Sequence, residues 1–116
     1  MTVNRLIKIY SLLDEYYSQQ HPIEDPILRK AARLSKISEE LGELNNAFLA
    51  SVGWQREEKL DEYHPEELAK EWADVVNTLF SFASSSGIDP EKELISRLRQ
   101  IFERAKLELP EELKKA

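Results

Sequence analysis

Apolar residues recur at the three- and four-residue spacing of an α-helix in four segments of the chain, and no segment alternates as a half-buried strand does. Asp25-Pro26 and Asp89-Pro90 each join an N-cap residue to a proline at the first helical position, so they mark two helix starts. Gly87 is a natural end for the third segment. The predicted helices cover roughly residues 3–19, 26–51, 65–86 and 90–107.

This pattern predicts an all-α protein, a single helical domain over residues 1–116 built as a four-helix bundle whose second and third helices lie antiparallel. The third helix is apolar over more than a narrow stripe, which predicts a central position and places Trp72 in the core. The stretch "GWQREEKLDEYHP" before it is predicted to be a polar connection. A chain of 116 residues is long enough for one modest core of this kind.

The charge and composition of the chain limit which ligands and reactive groups it can use. The chain carries 22 acidic and 16 basic residues, for a formal charge of −6, and it contains no cysteine. The acidic balance argues against binding of nucleic-acid polymers, because phosphate backbones are attracted by lysine and arginine. The absence of cysteine excludes disulfides, thiolate nucleophiles and cysteine-ligated metals. No apolar run reaches the roughly 20 residues of a membrane span and no signal peptide is evident, so we expect a cytoplasmic protein.

A group of carboxylates, "SEELGEL", lies in the second predicted helix. On a helical wheel with Glu40 at zero, the apolar face spans about 40° to 120°, so Glu40 borders it. Glu43 falls at about 300° and Glu39 at about 260°, progressively further toward solvent. Glu40 and Glu43 therefore form an i,i+3 pair at the edge of the core, and Glu39 is a more exposed third member.

The third predicted helix repeats this arrangement in "KEWADVVNTLF". With Glu71 at zero, the apolar face spans about 20° to 100° and Asp74 falls at about 300°. If the two helices are antiparallel, both acidic pairs can converge on one volume, which is unfavourable unless cations occupy it. Magnesium or manganese would resolve the repulsion, because both are hard cations that prefer oxygen ligands and bind phosphates.

Other interpretations remain open from these residues alone. A single E-x-x-E pair on a helix is usually a solvated face, and the protein would then be a non-enzymatic acidic module that binds a basic partner. A di-metal carboxylate site for redox chemistry is disfavoured, because His21 and His64 precede prolines outside helices and neither has the E-x-x-H spacing. The geometry favours a metal site and a solvated face about equally.

Two segments, "KISEELGELNNAF" and "ELAKEWADVVNTLFSFASSSGID", resemble the MazG-like all-α nucleotide pyrophosphohydrolases. The signature of that family is E-E-x-x-E on one helix and E-x-x-D on the next. The resemblance implies magnesium-dependent hydrolysis of a nucleoside triphosphate to the monophosphate and pyrophosphate, as in clearance of surplus or noncanonical nucleotides. Members are usually homodimers or homotetramers whose substrate pockets are completed between subunits, so we expect an oligomer.

The resemblance also assigns roles to residues of this chain. The implied magnesium ligands are Glu40, Glu43, Glu71 and Asp74. Glu39 would be an auxiliary ligand or would orient the attacking water, so that Glu39 and Glu40 are the expected catalytic residues. Lys36, three residues before the first glutamate, would contact the phosphates of the substrate.

Two further residues are candidates for substrate contact. Trp54 is an aromatic residue without an apolar stripe around it and could stack on a base. Asn77 lies one turn beyond Asp74, although the helical wheel turns it to about 240°, away from the acidic edge. Many relatives have a lysine and an asparagine on the fourth helix, but "ELISRLRQIFERAK" contains no asparagine and supports no such assignment. Gly42 is expected to permit a close approach between helices.

Overall fold

The computed structural model describes residues 2–116, and in this range the protein is all-α, as the sequence predicts, with no strand. The four long predicted helices are present and two short ones accompany them. The bounds are α1 Val3–Gln20, α2 Pro26–Ser51, α3 Glu57–Glu62, α4 Glu67–Ser85, α5 Pro90–Arg104 and α6 Glu111–Lys115.

Both predicted aspartate caps are confirmed. The Asp25 carboxylate accepts a hydrogen bond from the Ile27 backbone amide at 2.8 Å, and Asp89 accepts one from the Lys92 amide at 3.1 Å. Each cap satisfies a backbone donor that has no partner within the helix. Gly87 has a φ of 68° just after α4, which is the left-handed conformation that ends many helices and that glycine adopts without strain. Local sequence therefore fixes where α2 and α5 begin and where α4 ends.

The short helices α3 and α6 were not predicted. The connection between α2 and α4 contains α3, whose first turn carries Glu57 and Glu58, where carboxylates are stabilised by the helix dipole. The α6 segment has acidic residues in its first turn and lysines in its last, which is the same favourable charge order. The start of α4 also differs by two residues from the prediction, because residues 65 and 66 form a turn.

The main packing is between α2 and α4, with α1 lying against α4 and α5 in looser contact with α1. Pro26, Arg29 and Arg33 at the beginning of α2 line a small cavity with Ser85 at the end of α4. Tyr10 of α1 is buried and contacts Phe80 edge to face, with ring centroids 5.6 Å apart. This edge-to-face arrangement is a favoured aromatic geometry and fixes α1 on α4.

Much of the apolar surface predicted to be buried is exposed in the single chain. The prediction that Trp72 belongs to the core is wrong for one chain, since the residue is 60% exposed. Several other residues of the predicted apolar faces are also exposed: Leu28, Leu34, Leu41, Phe48 and Leu79. Helical periodicity identifies which face is apolar, but it does not determine whether the same chain covers that face. None of the described helices has an apolar stretch sufficient to cross a membrane.

Candidate metal centre

Three carboxylates from two helices meet where α2 crosses α4. Glu40 of α2, Glu71 and Asp74 of α4 each offer one oxygen, and these oxygens lie within 4.8 Å of one another. All three residues are half-buried. The i,i+3 spacing places Glu71 and Asp74 on one side of α4, and the packing of α2 brings Glu40 to the same side. The structure therefore brings together one residue of the first acidic motif and both of the second.

The donor set fits a hard divalent cation. All the ligand atoms are carboxylate oxygens, which magnesium and manganese prefer over nitrogen or sulfur. Two oxygens bound to one magnesium ion lie at most about 4.2 Å apart, twice the roughly 2.1 Å length of a magnesium–oxygen bond. Small side-chain rotations would bring this group to that spacing. Magnesium also keeps several waters and binds substrate phosphates, so three protein ligands leave room for both.

The other two glutamates of the first motif stand apart from this group. Glu43 is exposed, although it is close enough to Glu71 to influence its ionisation. The Glu39 side chain is 61% exposed, and its carboxylate accepts a hydrogen bond from the Lys36 ammonium at 3.2 Å. Glu40 therefore belongs to the carboxylate group, Glu39 lies on the exposed side of α2, and Glu43 is exposed but near Glu71 of α4.

Glu71 shows the electrostatic effect of the convergence. Burial raises the pKa of the Glu71 carboxyl above its ordinary value, and the nearby Asp74, Glu43 and Glu40 raise it further. Lys70, 3.7 Å away, lowers the pKa and opposes these effects. Partial desolvation and like charge both penalise the ionised carboxylate. A bound cation would remove that penalty.

Lys36 is the cation closest to the first motif. Its ammonium lies 3.2 Å from the Glu39 carboxylate and 3.6 Å from that of Glu40. The hydrogen bond with Glu39 is the main reason that the pKa of Lys36 is raised, and the charge of Glu40 adds to it. Lys36 therefore remains protonated beside the carboxylate group, where a phosphate chain could meet it.

A cavity of about 790 Å³ opens from the carboxylates between α1, α2 and α4. Its size is within the range of pockets that hold small-molecule ligands. Glu40, Asp74 and Lys36 line one part of it, and apolar side chains of α1 form a wall. The cavity joins the candidate metal ligands to a sheltered volume large enough for a nucleotide.

Asn77 lines this cavity together with Asp74, which corrects the expectation that it turns away from the acidic edge. Its carboxamide oxygen accepts a hydrogen bond from the buried Tyr10 hydroxyl. Burial raises the pKa of Tyr10, so the hydroxyl remains a donor. Tyr10 was not a predicted site residue, because its sequence position in the apolar stripe of α1 is indistinguishable from ordinary packing.

Two other residues with expected roles, Trp54 and Gly42, do not line the cavity. Trp54 follows the end of α2, is 74% exposed and does not line the cavity. The expected close approach at Gly42 is absent from the described chain, since a Cβ built there meets no atom within 4 Å. Gly42 lies on the exposed side of α2. The expectation rested on the low helix propensity of glycine, which gives no information on what surrounds the residue in the fold. Among the residues lining the large cavity, none comes from α5.

The comparison with known protein families is consistent with a metal centre at these carboxylates. No curated protein and no solved structure matches the chain significantly. The family model described as phosphoribosyl-ATP pyrophosphohydrolase matches residues 8–100, which include α2, α4 and all three clustered carboxylates. Members of this family are pyrophosphohydrolases that act on a nucleotide and typically depend on a divalent metal. The chain belongs to the phosphoribosyl-ATP pyrophosphohydrolase family, within the MazG-like all-α nucleoside triphosphate pyrophosphohydrolase superfamily.

Proposed function

We propose that this protein is a magnesium-dependent pyrophosphohydrolase that cleaves a nucleotide 5′-triphosphate between its α and β phosphates. The observation that carries the proposal is the convergence of Glu40, Glu71 and Asp74 beside a nucleotide-sized cavity that Glu40 and Asp74 line. In the proposed site these residues would hold magnesium, or manganese in its place, with Glu43 as a fourth ligand. When bound, the ion would polarise the phosphate oxygens and supply positive charge against the developing negative charge.

The chain's own residues then orient the reactants. In the single chain the Lys36 ammonium pairs with the carboxylates of Glu39 and Glu40. When substrate binds, Lys36 binds a phosphate oxygen, and its positive charge offsets the negative charge of the triphosphate. Glu40, which lines the cavity, accepts a proton from the attacking water, and Glu39, an auxiliary residue, helps to orient that water. The water oxygen bonds to phosphorus, the bridging phosphoanhydride bond breaks, and the products are the nucleoside monophosphate and pyrophosphate. One water molecule is consumed in each cycle.

Two substrate classes fit this reaction. The motif pattern supports nucleoside triphosphates of the cytoplasmic pool, whereas the matched family is named for phosphoribosyl-ATP, an ATP derivative that carries a phosphorylated ribose. Both contain the same triphosphate linkage, so the metal centre serves either. The residues along the rest of the cavity must discriminate between them.

The deciding assay measures pyrophosphate and nucleoside monophosphate from a panel of ribonucleoside and deoxyribonucleoside triphosphates and from phosphoribosyl-ATP, with magnesium or with a chelator. Asp74→Asn should lower kcat/KM by about 100-fold or more, because even indirect supports of metal ligands contribute about 10- to 100-fold. Glu103→Gln, an exposed change on α5, is the matched control. Absence of pyrophosphate from every substrate would refute the proposal and leave the acidic interaction module as the better interpretation. Release that survives the chelator would refute the dependence on a metal.

We also propose that the protein functions as a homodimer or homotetramer. The large apolar side chains Phe48, Trp72 and Leu79 are each close to half exposed or more in the single chain. A second copy would remove these side chains from water. Trp54 could then stack on a base in a pocket shared between subunits.

A further inference from the structure

The large cavity extends from the carboxylates toward the end of α4. Its lining residues fall within 29–40 on α2 and within 74–81 on α4, and Glu71 is not among them. The Lys36 ammonium reaches back toward the carboxylates and lies 3.6 Å from that of Glu40. The candidate metal ligands and the cation beside them therefore occupy one end of the cavity. With the phosphates at that end, the nucleoside is the part of the substrate that enters the rest.

The two walls of this inner part differ in polarity. Ile9 and Leu13 of α1 form an apolar wall, which suits a flat base. On α4, Asp74 is followed by Asn77 and Thr78, and all three line the cavity. Asn77 and Thr78 stand about 4.5 and 6 Å further along the axis of α4 than Asp74, because each residue advances a helix by about 1.5 Å. In a nucleotide the sugar follows the α-phosphate, so the sugar lies at the level of these two residues.

Tyr10 determines which atoms Asn77 presents to the cavity. The buried Tyr10 hydroxyl donates a hydrogen bond to the Asn77 carboxamide oxygen, and the edge-to-face contact with Phe80 holds the Tyr10 ring in place. A carboxamide also has a nitrogen with two donor hydrogens. Among residues 2–116, no group accepts a hydrogen bond from that nitrogen. Asn77 therefore offers donors to whatever enters the cavity.

Thr78 offers the complementary group. Its hydroxyl donates a hydrogen bond to the Val75 carbonyl oxygen at 2.8 Å, so the hydroxyl hydrogen is already used and the lone pairs of the oxygen remain as acceptors. A free donor and a free acceptor on consecutive residues fit a ligand hydroxyl, which accepts one hydrogen bond and donates another. A phosphate oxygen only accepts, so it would leave the Thr78 oxygen without a partner. The pair thus matches a sugar hydroxyl better than a phosphate.

We propose that Asn77 and Thr78 form a sugar subsite. The Asn77 amide nitrogen donates to a ribose hydroxyl, and that hydroxyl donates to the Thr78 oxygen. Tyr10 is a positioning residue that acts through Asn77. The assignment of the sugar to a substrate rests on the proposed pyrophosphohydrolase function, whereas the subsite itself is testable without it. The subsite distinguishes ribose from a deoxy sugar that lacks the contacted hydroxyl.

The first test measures binding without phosphate, metal or catalysis. Adenosine, 2′-deoxyadenosine and 3′-deoxyadenosine are titrated separately into the ¹⁵N-labelled full chain with a chelator present. Adenosine should shift the Asn77 side-chain amide signals in a saturable way and leave those of Asn45, an exposed residue of α2 outside the cavity, unchanged. One of the two deoxynucleosides should bind about fivefold more weakly than adenosine, as loss of a neutral hydrogen bond predicts.

Variants then assign the discrimination to residues. Asn77→Ala and Thr78→Val should each bind adenosine about as weakly as the wild type binds that deoxynucleoside, and neither should distinguish the two ligands. Asn45→Ala is the matched control and should bind as the wild type does. Tyr10→Phe keeps the ring and should reduce the ratio of the two affinities, because Asn77 is no longer held. A purely structural role of Tyr10 would instead weaken the binding of all three nucleosides equally.

Three results would overturn the subsite. They are an absence of saturable shifts in the wild type, equal affinity of the wild type for all three nucleosides, and discrimination that persists in Asn77→Ala. Each would mean that no ribose hydroxyl binds at Asn77.

The second test measures specificity in the reaction, with magnesium present. Pyrophosphate release from ATP, 2′-deoxy-ATP and 3′-deoxy-ATP should give a wild-type KM about fivefold higher for the analogue that lacks the contacted hydroxyl. Asn77→Ala should abolish this difference with little change in kcat. An equal rise of KM for all three nucleotides would contradict a role in sugar recognition. If the wild type hydrolyses none of them, the pyrophosphohydrolase proposal fails, while the nucleoside titrations still decide whether the sugar subsite exists.

Discussion

The Lys36 ammonium lies 3.6 Å from the Glu40 carboxylate, one helical turn further along α2. This contact joins the cation that precedes the first motif to the glutamate of that motif that clusters with Glu71 and Asp74. In the proposed function, a phosphate oxygen takes over part of the Lys36 interaction when substrate binds. The same side chain thus neutralises Glu40 before binding and the triphosphate after it.

Replacing Lys36 by methionine should therefore raise KM for the triphosphate by about tenfold, with a smaller effect on kcat. Methionine keeps an unbranched apolar chain and removes only the charge and its hydrogen bonds. Steady-state pyrophosphate release measures both constants. Lys30→Met is the control, since Lys30 does not line the large cavity. An unchanged KM would show that Lys36 serves only to neutralise the glutamates.

The raised pKa of Glu71 predicts a specific pH dependence of stability in the absence of metal. The folded state holds the Glu71 proton more tightly than the unfolded state, whose carboxyl has the ordinary value of 4.5. The stabilisation that comes from the protonated Glu71 carboxyl is therefore fully present below pH 4.5. The free energy of unfolding then decreases as the pH rises through the folded-state pKa of Glu71. Glu71→Gln abolishes this loss, so the variant should be more stable than the wild type near pH 7.

Chemical denaturation between pH 4.5 and pH 8 with a chelator measures that difference. Glu103→Gln, on the exposed surface of α5, should follow the wild type at every pH. A Glu71→Gln variant that is less stable than the wild type at neutral pH would mean that Glu71 has a structural role, and it would weaken the case for a metal centre.

Magnesium should stabilise the folded protein, because the folded state assembles the carboxylates and the unfolded state does not. At a magnesium concentration 100-fold above Kd, the expected gain is about 2.7 kcal/mol, seen as a higher Tm. Glu71→Gln or Glu40→Gln should lose most of this gain, whereas the exposed Glu39→Gln should keep it. Sodium chloride at matched ionic strength controls for general screening. An equal rise of Tm in all variants would indicate a nonspecific salt effect.

The hydrogen bond from Tyr10 to Asn77 predicts coupling between α1 and the cavity. Tyr10→Phe keeps the edge-to-face contact with Phe80 and removes only the hydroxyl, so the loss of stability should be about 1 kcal/mol. In an Asn77→Ala background the same change should have a smaller effect on both stability and KM. A double-mutant cycle on the two measurements gives the coupling. Strictly additive effects would show that the hydroxyl and the carboxamide act independently.

The exposed apolar side chains predict self-association. Light scattering coupled to size-exclusion chromatography should give the mass of a dimer or a tetramer. Trp72→Glu should yield smaller particles, because it places a charge on the exposed apolar face of α4. Leu12→Glu on α1, which is similarly exposed at 66%, is the control and should leave the assembly intact. A wild-type protein with the mass of one chain would refute the oligomer.

The sequence by itself determined the helices and the chemistry available to them. Periodicity located the four long helices, and the Asp-Pro pairs located two of their starts, because capping and the fixed φ of proline act within a few residues. The acidic pairs were visible for the same reason, since i,i+3 spacing determines which residues share a helix face. The weaker α3 and α6 were missed, because a helix of one or two turns has too few positions to show a period.

Only the tertiary structure decided which carboxylates meet. The wheel ranked Glu40 and Glu43 as a pair, but the packing of α2 on α4 brings Glu40 to Glu71 and Asp74 and leaves Glu43 exposed. The hydrogen bond between Tyr10 and Asn77 spans residues far apart in the chain, so no local pattern could reveal it. The exposure of Trp72 likewise depends on what covers α4. Each of these contacts depends on how separate helices lie against one another, whereas a local pattern specifies only the faces that each helix has available.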